Sequence, residues 1–336
     1  VHKTDDTTTT GAAVAGVKEQ GRIFVAGHRG MVGSAILRCL HAAGAGDIVT
    51  LSRSELDLTR QAEVESFFGC ERIDTVYLAA ARVGGIKANR DEPAEFIREN
   101  LQIQTNVIQS AHQAGVARLL FLGSSCIYPR LAAQPMAEDA LLTGVLEQTN
   151  EAYAVAKIAG IKMCEAYRRQ YGSDFRSAMP TNLYGPNDNF DLDSSHVLPA
   201  LLRKFHTAAV NGDQTVTVWG SGAPRREFLH VDDLAAAACH LVDLSAERYW
   251  SAVSNHCSHV NVGCGVDISI AELAELIASI CGFEGRIEFD PAMPDGTPRK
   301  LLDVSRLEAL GWKAQVPLEQ GICATRDWMV QSGNDG

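Results

Sequence analysis

Residues 22–44 read RIFVAGHRGMVGSAILRCLHAAG. Arg22 to Ala26 make an apolar run of the length of one buried strand. Gly27, Gly30 and Gly33 follow at regular spacing, and SAILRCLHAAG then reads as a helix. Strand, glycine turn and helix in that order form a dinucleotide-binding unit. Gly27 permits the tight turn, Gly30 lets a pyrophosphate approach the backbone near the positive helix end, and Gly33 lets helix and strand pack closely. The stretch predicts an α/β fold built on a Rossmann-type parallel sheet.

The pattern continues outward from there. IVTLS at 48–52 reads as the second strand. An NAD enzyme often carries an acid near the end of this strand, on the ribose 2′-hydroxyl. Here Arg53 occupies that place, and Arg29 lies inside the glycine loop. Two guanidinium groups suit a 2′-phosphate in charge and in forked geometry, so NADPH is the expected cofactor. Residues 61–72 look helical, and IDTVYLAAA at 73–81 is an apolar strand. It runs into ARVGGI, whose small residues allow a cofactor close passage. A helix over about 93–114 follows, then ARLLFLGSS at 117–125 as the next central strand. Ser124 falls at its carboxyl end, where such sheets carry binding and catalytic groups.

Residues 131–150 are loop-rich and arch over the site; 151–171 read as one helix. Tyr153 and Lys157 are four apart on it and share a face. A neighbouring cation favours the phenolate and lowers a phenol from its usual ~10. The spacing predicts a proton donor whose conjugate base is tolerated near neutral pH. DFRSAMPTNLYGP at 174–186 is another strand, SHVLPALLRKFHTAAV at 195–210 contains a helix, and VTVWG at 216–220 is a short strand. REFLHVDDLAAAACHLVDL at 226–244 starts a strand and helix, with Asp232 and Asp233 read as helix caps. ISIAELAELIASICG is an amphipathic helix, RIEFD a strand, and VPLEQGICATRDWMV a terminal helix.

The 336 residues suffice for a large core and two domains. A net charge of -11 argues against a nucleic-acid surface while leaving room for a local basic pocket. Nine cysteines at scattered spacings suggest reduced thiols, hence a cytoplasmic location. No apolar run approaches the ~20 residues of a membrane span. Residues 1–20 are polar and small and read as a mobile leader without a secretory pattern. His256-Cys257-Ser258-His259 has poor metal-ligand spacing, and no metal is expected.

Gly27-x-x-Gly30-x-x-Gly33, Ser124-Ser125-Cys126-Ile127-Tyr128-Pro129 and Tyr153-x-x-x-Lys157 together resemble the extended short-chain dehydrogenase/reductase family. GHRGMVGSAI, AARVGGI, FLGSSCIYP, MPTNLYGP, REFLHVDD and DGTPRK are similar to its epimerase-reductase branch across roughly residues 21–330. The resemblance implies NADPH-dependent conversion of GDP-4-keto-6-deoxy-D-mannose to GDP-L-fucose, by 3,5-epimerisation and then 4-keto reduction. It implies a homodimer, a cofactor domain over 21–190 with a return segment at about 226–262, and a smaller nucleotide-sugar lobe from 191–225 and 263–336.

The resemblance makes Ser124, Tyr153 and Lys157 the reductase group. Tyr153 protonates the reduced oxygen, Ser124 orients it, and Lys157 supports the phenol and binds the nicotinamide ribose. Cys126, otherwise a small buried hydrophobe, becomes a base at C3 and C5. His196, otherwise a satisfied histidine at a helix start, becomes its acid partner. Implied cofactor contacts are Gly27, His28, Arg29, Gly30, Met31, Val32, Gly33, Arg53, Asp57, Leu122, Gly123, Ser124, Ser125, Tyr153, Lys157, Pro180, Thr181, Asn182, Leu183 and His196. Implied substrate contacts are Ser125, Asn182, Val197, Leu201, Lys204, Trp219, Arg226, Asp295 and Lys300, with Lys204 where an arginine is expected. Other enzymes of the fold remain as alternatives. A 4,6-dehydratase needs an acid pair beside the serine, and a 4-epimerase carries the ribose acid. A dinucleotide-binding sensor is the non-enzymatic reading, and intact Ser124, Tyr153 and Lys157 argue against it.

Overall fold

The computed structural model describes residues 21–333 except Asp193 and Pro294; the leader expected at 1–20 lies outside them. The first half runs β1 (Ile23–Ala26), α1 (Met31–Ala42), β2 (Ile48–Val49), α2 (Gln61–Cys70), β3 (Thr75–Leu78), α3 (Ile86–Asp91), α4 (Pro93–Gln113), β4 (Arg118–Leu122) and α5 (Glu151–Tyr171). Then come β5 (Asp174–Pro180), β6 (Asn182–Tyr184), α6 (Val197–Asn211), β7 (Thr215–Trp219), β8 (Arg225–His230), α7 (Val231–Asp243) and α8 (Ala246–Ala252). The chain ends with β9 (His259–Val262), β10 (Asp267–Ser269), α9 (Ile270–Cys281), β11 (Arg286–Asp290), β12 (Arg299–Lys300), α10 (Ser305–Ala309) and α11 (Leu318–Gln331).

Six strands form one parallel sheet in the order β2-β1-β3-β4-β5-β9. β1, β3 and β4 are near-continuous apolar runs because both faces are covered. Ile23 and Val25 of β1 pack with α1 and α7 on one face. Phe24 and Ala26 pack with α2, α4 and α5 on the other. That alternation is the period of two. The chain leaves β1 for β2 on one side, then returns to β3 on the other. This switch opens a crevice at the carboxyl ends of β1 and β3, where ligands bind in such sheets.

The remaining strands are small. β8 pairs with β10, β12 and β6, and β7 pairs with β11. α6, α9 and α11 pack around a separate core with Leu198, Phe205, Val218, Ile277 and Met329. α9 begins with a full Ser269–Glu272 capping box.

Several expected boundaries shift for local reasons. The strand expected over 48–52 ends at Val49, because the Ser52 carbonyl already accepts the Glu55 and Leu56 amides in a turn. The single strand expected over 174–186 is two. Thr181 donates its amide to Val262 in the large sheet, whereas Asn182 to Tyr184 pair with β8. Asp232 and Asp233 lie in the first turn of α7 but do not cap it. His230 holds that place, its Nδ1 accepting the Asp232 amide. Asp232 pairs with Arg38 of α1, and Asp233 accepts the amides of Gln315 and Val316.

Candidate active site

The crevice starts at Gly27. Its backbone is left-handed, with φ +87°, and a Cβ there would lie 2.7 Å from the Ala80 amide nitrogen. Only glycine lets the β1 turn meet the β3 loop. A Cβ on Gly33 would lie 2.1 Å from the Gly27 carbonyl oxygen, so Gly33 seats α1 on that turn. Gly30 differs, since a Cβ there would make only an ordinary 3.5 Å contact. The protein itself does not demand glycine at 30, and its bare Cα leaves room for a ligand. No side chain caps the first amides of α1. Those N–H groups at the positive helix end form an anion cradle, and His28 adds a buried Nδ1 without a partner. Met31 and Val32 carry two of the cradle amides. The arrangement fits a dinucleotide pyrophosphate.

At the far end of the crevice the arginines are available. Arg29 is exposed. Arg53 is 71% exposed and reaches Asp57 and Glu99 only at 3.9 and 3.8 Å. Asp57 accepts the Thr59 amide and hydroxyl at 3.0 and 2.8 Å, so its carboxylate shapes its own turn. Sequence reasoning missed Glu55, an acid just past β2. Its carboxylate folds back onto the Ser52 amide and hydroxyl at 2.7 and 2.6 Å. Those bonds, with Arg29 and His28 close by, hold it below the usual carboxylate range. The Ser-x-x-Glu spacing was the available signal, because it matches a capping box.

Ser124 follows β4, and the chain then tightens into a single 3-10 turn over Ser125–Ile127. Gly123 makes room for Met179, whose sulfur would lie 2.3 Å from a Cβ there. The Ser124 hydroxyl favours the ionised forms of both Tyr153 and Cys126. Lys157 is buried one helical turn beyond Tyr153 and donates to the Leu122 carbonyl at 2.8 Å. Its ammonium lies 5.8 Å from the Tyr153 ring centroid. The expectation that Lys157 lowers the Tyr153 phenol is overturned. Burial pushes that phenol up, the Cys126 sulfur adds to the rise, and only the Ser124 hydroxyl opposes it. Burial also pushes Lys157 down to about 8. Tyr153 therefore holds its proton firmly at neutral pH.

Cys126 is buried, which pushes its thiol up, while the Ser124 hydroxyl and the cations Lys300 and Lys157 pull the other way. His196 is the residue before α6, yet its ring makes no capping bond. Its surface is solvent-accessible, but surrounding protein and the Lys300 cation push its imidazole below the usual range. Lys300 lines one cavity with Cys126, its charge acts on the His196 imidazole, and Arg226 lies near it. Register explains that last contact, because Lys300 of β12 is directly paired with Arg226 of β8. Lys300, Ser125, Cys126 and Thr297 line one small enclosed cavity.

Residues 23–263 match the model of the NAD dependent epimerase/dehydratase family. The chain belongs to that family. It is 58% identical over 311 residues to the GDP-L-fucose synthase of Escherichia coli K12, covering 93% of this chain and 97% of that one. It is 57% identical over 325 residues to GDP-L-fucose synthase 1 of Arabidopsis thaliana, covering 96% and 98%. The structure of a Naegleria fowleri GDP-L-fucose synthetase bound to NADP superposes with a TM-score of 0.83 at 27% identity, over 94% of each chain.

Within this epimerase/dehydratase chain the smaller lobe supplies the remaining groups. Lys204 lies 5.1 Å from the ring centroid of Trp219, which is 57% exposed. Val197 is exposed, whereas Leu201 of the same helix is buried in the lobe core. Asp295 accepts the Ser221 amide and hydroxyl at 2.6 and 2.8 Å, so it fixes the turn after β7. Asn182 donates to the Glu227 carbonyl at 2.8 Å. Pro180 and Thr181 are buried and Leu183 is half-buried at the crossing between the two sheets. A larger cavity of about 440 Å³ opens beside Glu138 and Arg306, away from the crevice and its cysteine. Among the described residues no His, Cys, Asp and Glu cluster could hold a metal, and no helix is long and apolar enough to cross a membrane.

Proposed function

We propose that this chain converts GDP-4-keto-6-deoxy-D-mannose to GDP-L-fucose, inverting C3 and C5 and reducing the C4 ketone with NADPH. The observation that carries the reading is the meeting of two chemistries. Ser124, Tyr153 and Lys157 are assigned as a ketone-reducing group; Cys126, which lines one small cavity with Lys300, and His196, whose imidazole the Lys300 cation pushes down, are assigned as the epimerising pair. A plain reductase has no use for the second pair. Similarity to the named synthases supports the substrate.

NADPH supplies the hydride for C4 when bound. The residues that would hold it are the α1 amides at the pyrophosphate, Arg29 and Arg53 at the 2′-phosphate, and Lys157 at the nicotinamide ribose. Cys126 and His196 rest as thiol and neutral imidazole. Moving one proton from Cys126 to His196 arms both without changing net charge. The thiolate takes the proton at C3 or C5, and the electron pair moves onto the ketone oxygen. Ser124 and Tyr153 hold that enolate oxygen by hydrogen bonds. The imidazolium returns a proton on the opposite face, and the pair is back at rest. Tyr153 then gives its proton to the C4 oxygen as the ketone is reduced.

Arg226, Lys204, Trp219 and Lys300 are assigned to the nucleotide-sugar. The same reading carries a homodimer, tested by light scattering, and a cytoplasmic location, tested by fractionation.

Deuterium uptake from D₂O at C3 and C5, followed by NMR with NADP⁺ present, tests the function. The native protein is expected to exchange both positions. Cys126→Ser is expected to lose exchange by ~10²-fold or more, because a serine hydroxyl ionises far less readily than a thiol. With NADPH the variant yields an unepimerised 6-deoxy sugar. A native protein that reduces the ketone without any exchange is a plain 4-reductase, and the reading fails.

A further inference from the structure

Gly85 has an ordinary backbone, φ -66° and ψ -178°, open to any residue. What it lacks is space. A Cβ there would lie 2.8 Å from the Ser194 carbonyl oxygen and 3.3 Å from that of Ser195. Both obstacles are backbone atoms, so neither yields by a rotamer change. The close approach also carries a bond, since the Gly85 amide donates to the Ser194 carbonyl at 3.1 Å. Ser194 is two residues before His196.

Both sides of this contact are independently stiffened. Buried Asn89 donates its side-chain amide to the Gly84 and Gly85 carbonyls at 2.8 and 3.0 Å, which turns the Gly85 N–H toward Ser194. On the other side Asp191 accepts the Ser194 amide and hydroxyl at 3.0 and 2.8 Å. The Asp191 carbonyl accepts the Ser195 amide at 2.9 Å. The loop holding Gly85 begins at the cofactor crevice, where Ala79 and Ala80 abut Gly27. It is pinned midway by Asn100, which exchanges bonds of 3.0 Å with both the Arg82 amide and carbonyl.

We propose that Gly85 and Asn89 are positioning residues for epimerisation: their contact with Ser194 sets the place of His196 against the sugar ring and references it to the cofactor turn. The proposal rests on the epimerase-reductase reading above. Reduction depends on Ser124, Tyr153 and Lys157, which stand just after β4 and on α5 and do not use this contact. Proton return depends on His196, which reaches the site through the segment that Gly85 holds. A displacement near 1 Å at a reacting group costs on the order of 10²-fold.

The test compares Gly85→Ala, Asn89→Ala and native protein in two assays. One is deuterium uptake at C3 and C5 in D₂O with NADP⁺ present. The other is the sugar composition of the product formed with NADPH. Both variants are expected to lose exchange by roughly 10- to 100-fold, with a smaller loss of reduction. Unepimerised 6-deoxy sugar should accumulate in the product. Should Gly85→Ala not fold, Asn89→Ala decides alone, because it shortens a side chain without adding an atom. Native-rate exchange in the folded variants overturns the proposal. So does an equal loss of exchange and reduction with an unchanged product ratio, which marks a merely structural contact. Failure of exchange in the native protein instead sinks the epimerase reading itself, so the two failures are distinct.

Discussion

Arg29 and Arg53 stand at the cofactor end with exposed guanidinium groups. Arg53 and Arg29 were read as a phosphate pair because an expected acid was missing. Glu55 stood two positions on, and only its geometry shows that it is spent on Ser52. Arg53 has no tight carboxylate partner, so its guanidinium is free to grip a phosphate. Arg53→Ala is expected to weaken NADPH binding about tenfold and leave NADH binding nearly unchanged. That corresponds to ~1.4 kcal/mol, the low end for a charge-assisted bond, because Arg53 is largely exposed. Titration of both cofactors checks it; equal losses for the two would remove Arg53 from the 2′-phosphate. The Tyr153–Lys157 spacing was legible too, but its consequence was not. A four-residue step says the pair shares a face, and says nothing of the Leu122 carbonyl that takes the ammonium or of the burial that raises the phenol. Leu201 was illegible for the same reason, since facing the core or the ligand depends on packing.

Elements were legible where one periodicity ran long enough. β1, β3 and β4 are near-continuous apolar runs, and α4 and α5 span 21 residues each. α3, α8, β10 and β12 were not separately read, being too short to show a period. The break at Thr181 is invisible in sequence because both halves are strand-like; the partner changes, not the conformation. The glycine turn could be read in full, and it carries a sharp prediction. Gly33 lies in the first turn of α1, where alanine would gain ~1 kcal/mol of helix propensity. Its Cβ would meet the Gly27 carbonyl at 2.1 Å. Overpacking against backbone costs ~1–3 kcal/mol, so the clash outweighs the propensity. Gly33→Ala should lower the melting temperature and abolish tight NADPH binding, because α1 must move off the turn. A more stable variant with intact binding would show that α1 is not seated by this contact.

For the whole molecule, the unreadable part is which distant loops close on each other. His259 and Asn261 of β9 meet Tyr128, Glu138, Asp303 and Arg306 in one buried network that no local pattern announces. Its protonation can still be worked out. The single Tyr128 proton goes to the Asn261 carbonyl oxygen, so the Tyr128 oxygen accepts from Nε2–H of His259. Nδ1 of His259 is then bare, buried and without a partner. A proton there would create a buried cation facing Arg306 and Lys162 with no acceptor. Burial and those cations push His259 down to about 3. In the unfolded chain a histidine titrates at ~6.5. Between those values the unfolded state binds a proton that the native state refuses. Stability from this group is therefore complete above about pH 6.5 and is lost as pH falls toward 3. Asp188 works in the opposite sense, because burial raises it to about 7, and its contribution is lost as pH rises through that value. A raw stability profile mixes the two, so the measurement is a difference. Urea unfolding of native protein and His259→Gln should be compared at pH 7 and pH 5. Glutamine can still donate to Tyr128 but does not titrate. The native protein should lose roughly 1–2 kcal/mol more than the variant between the two values. Identical losses would mean that His259 is as easily protonated folded as unfolded, and that the network tolerates the charge.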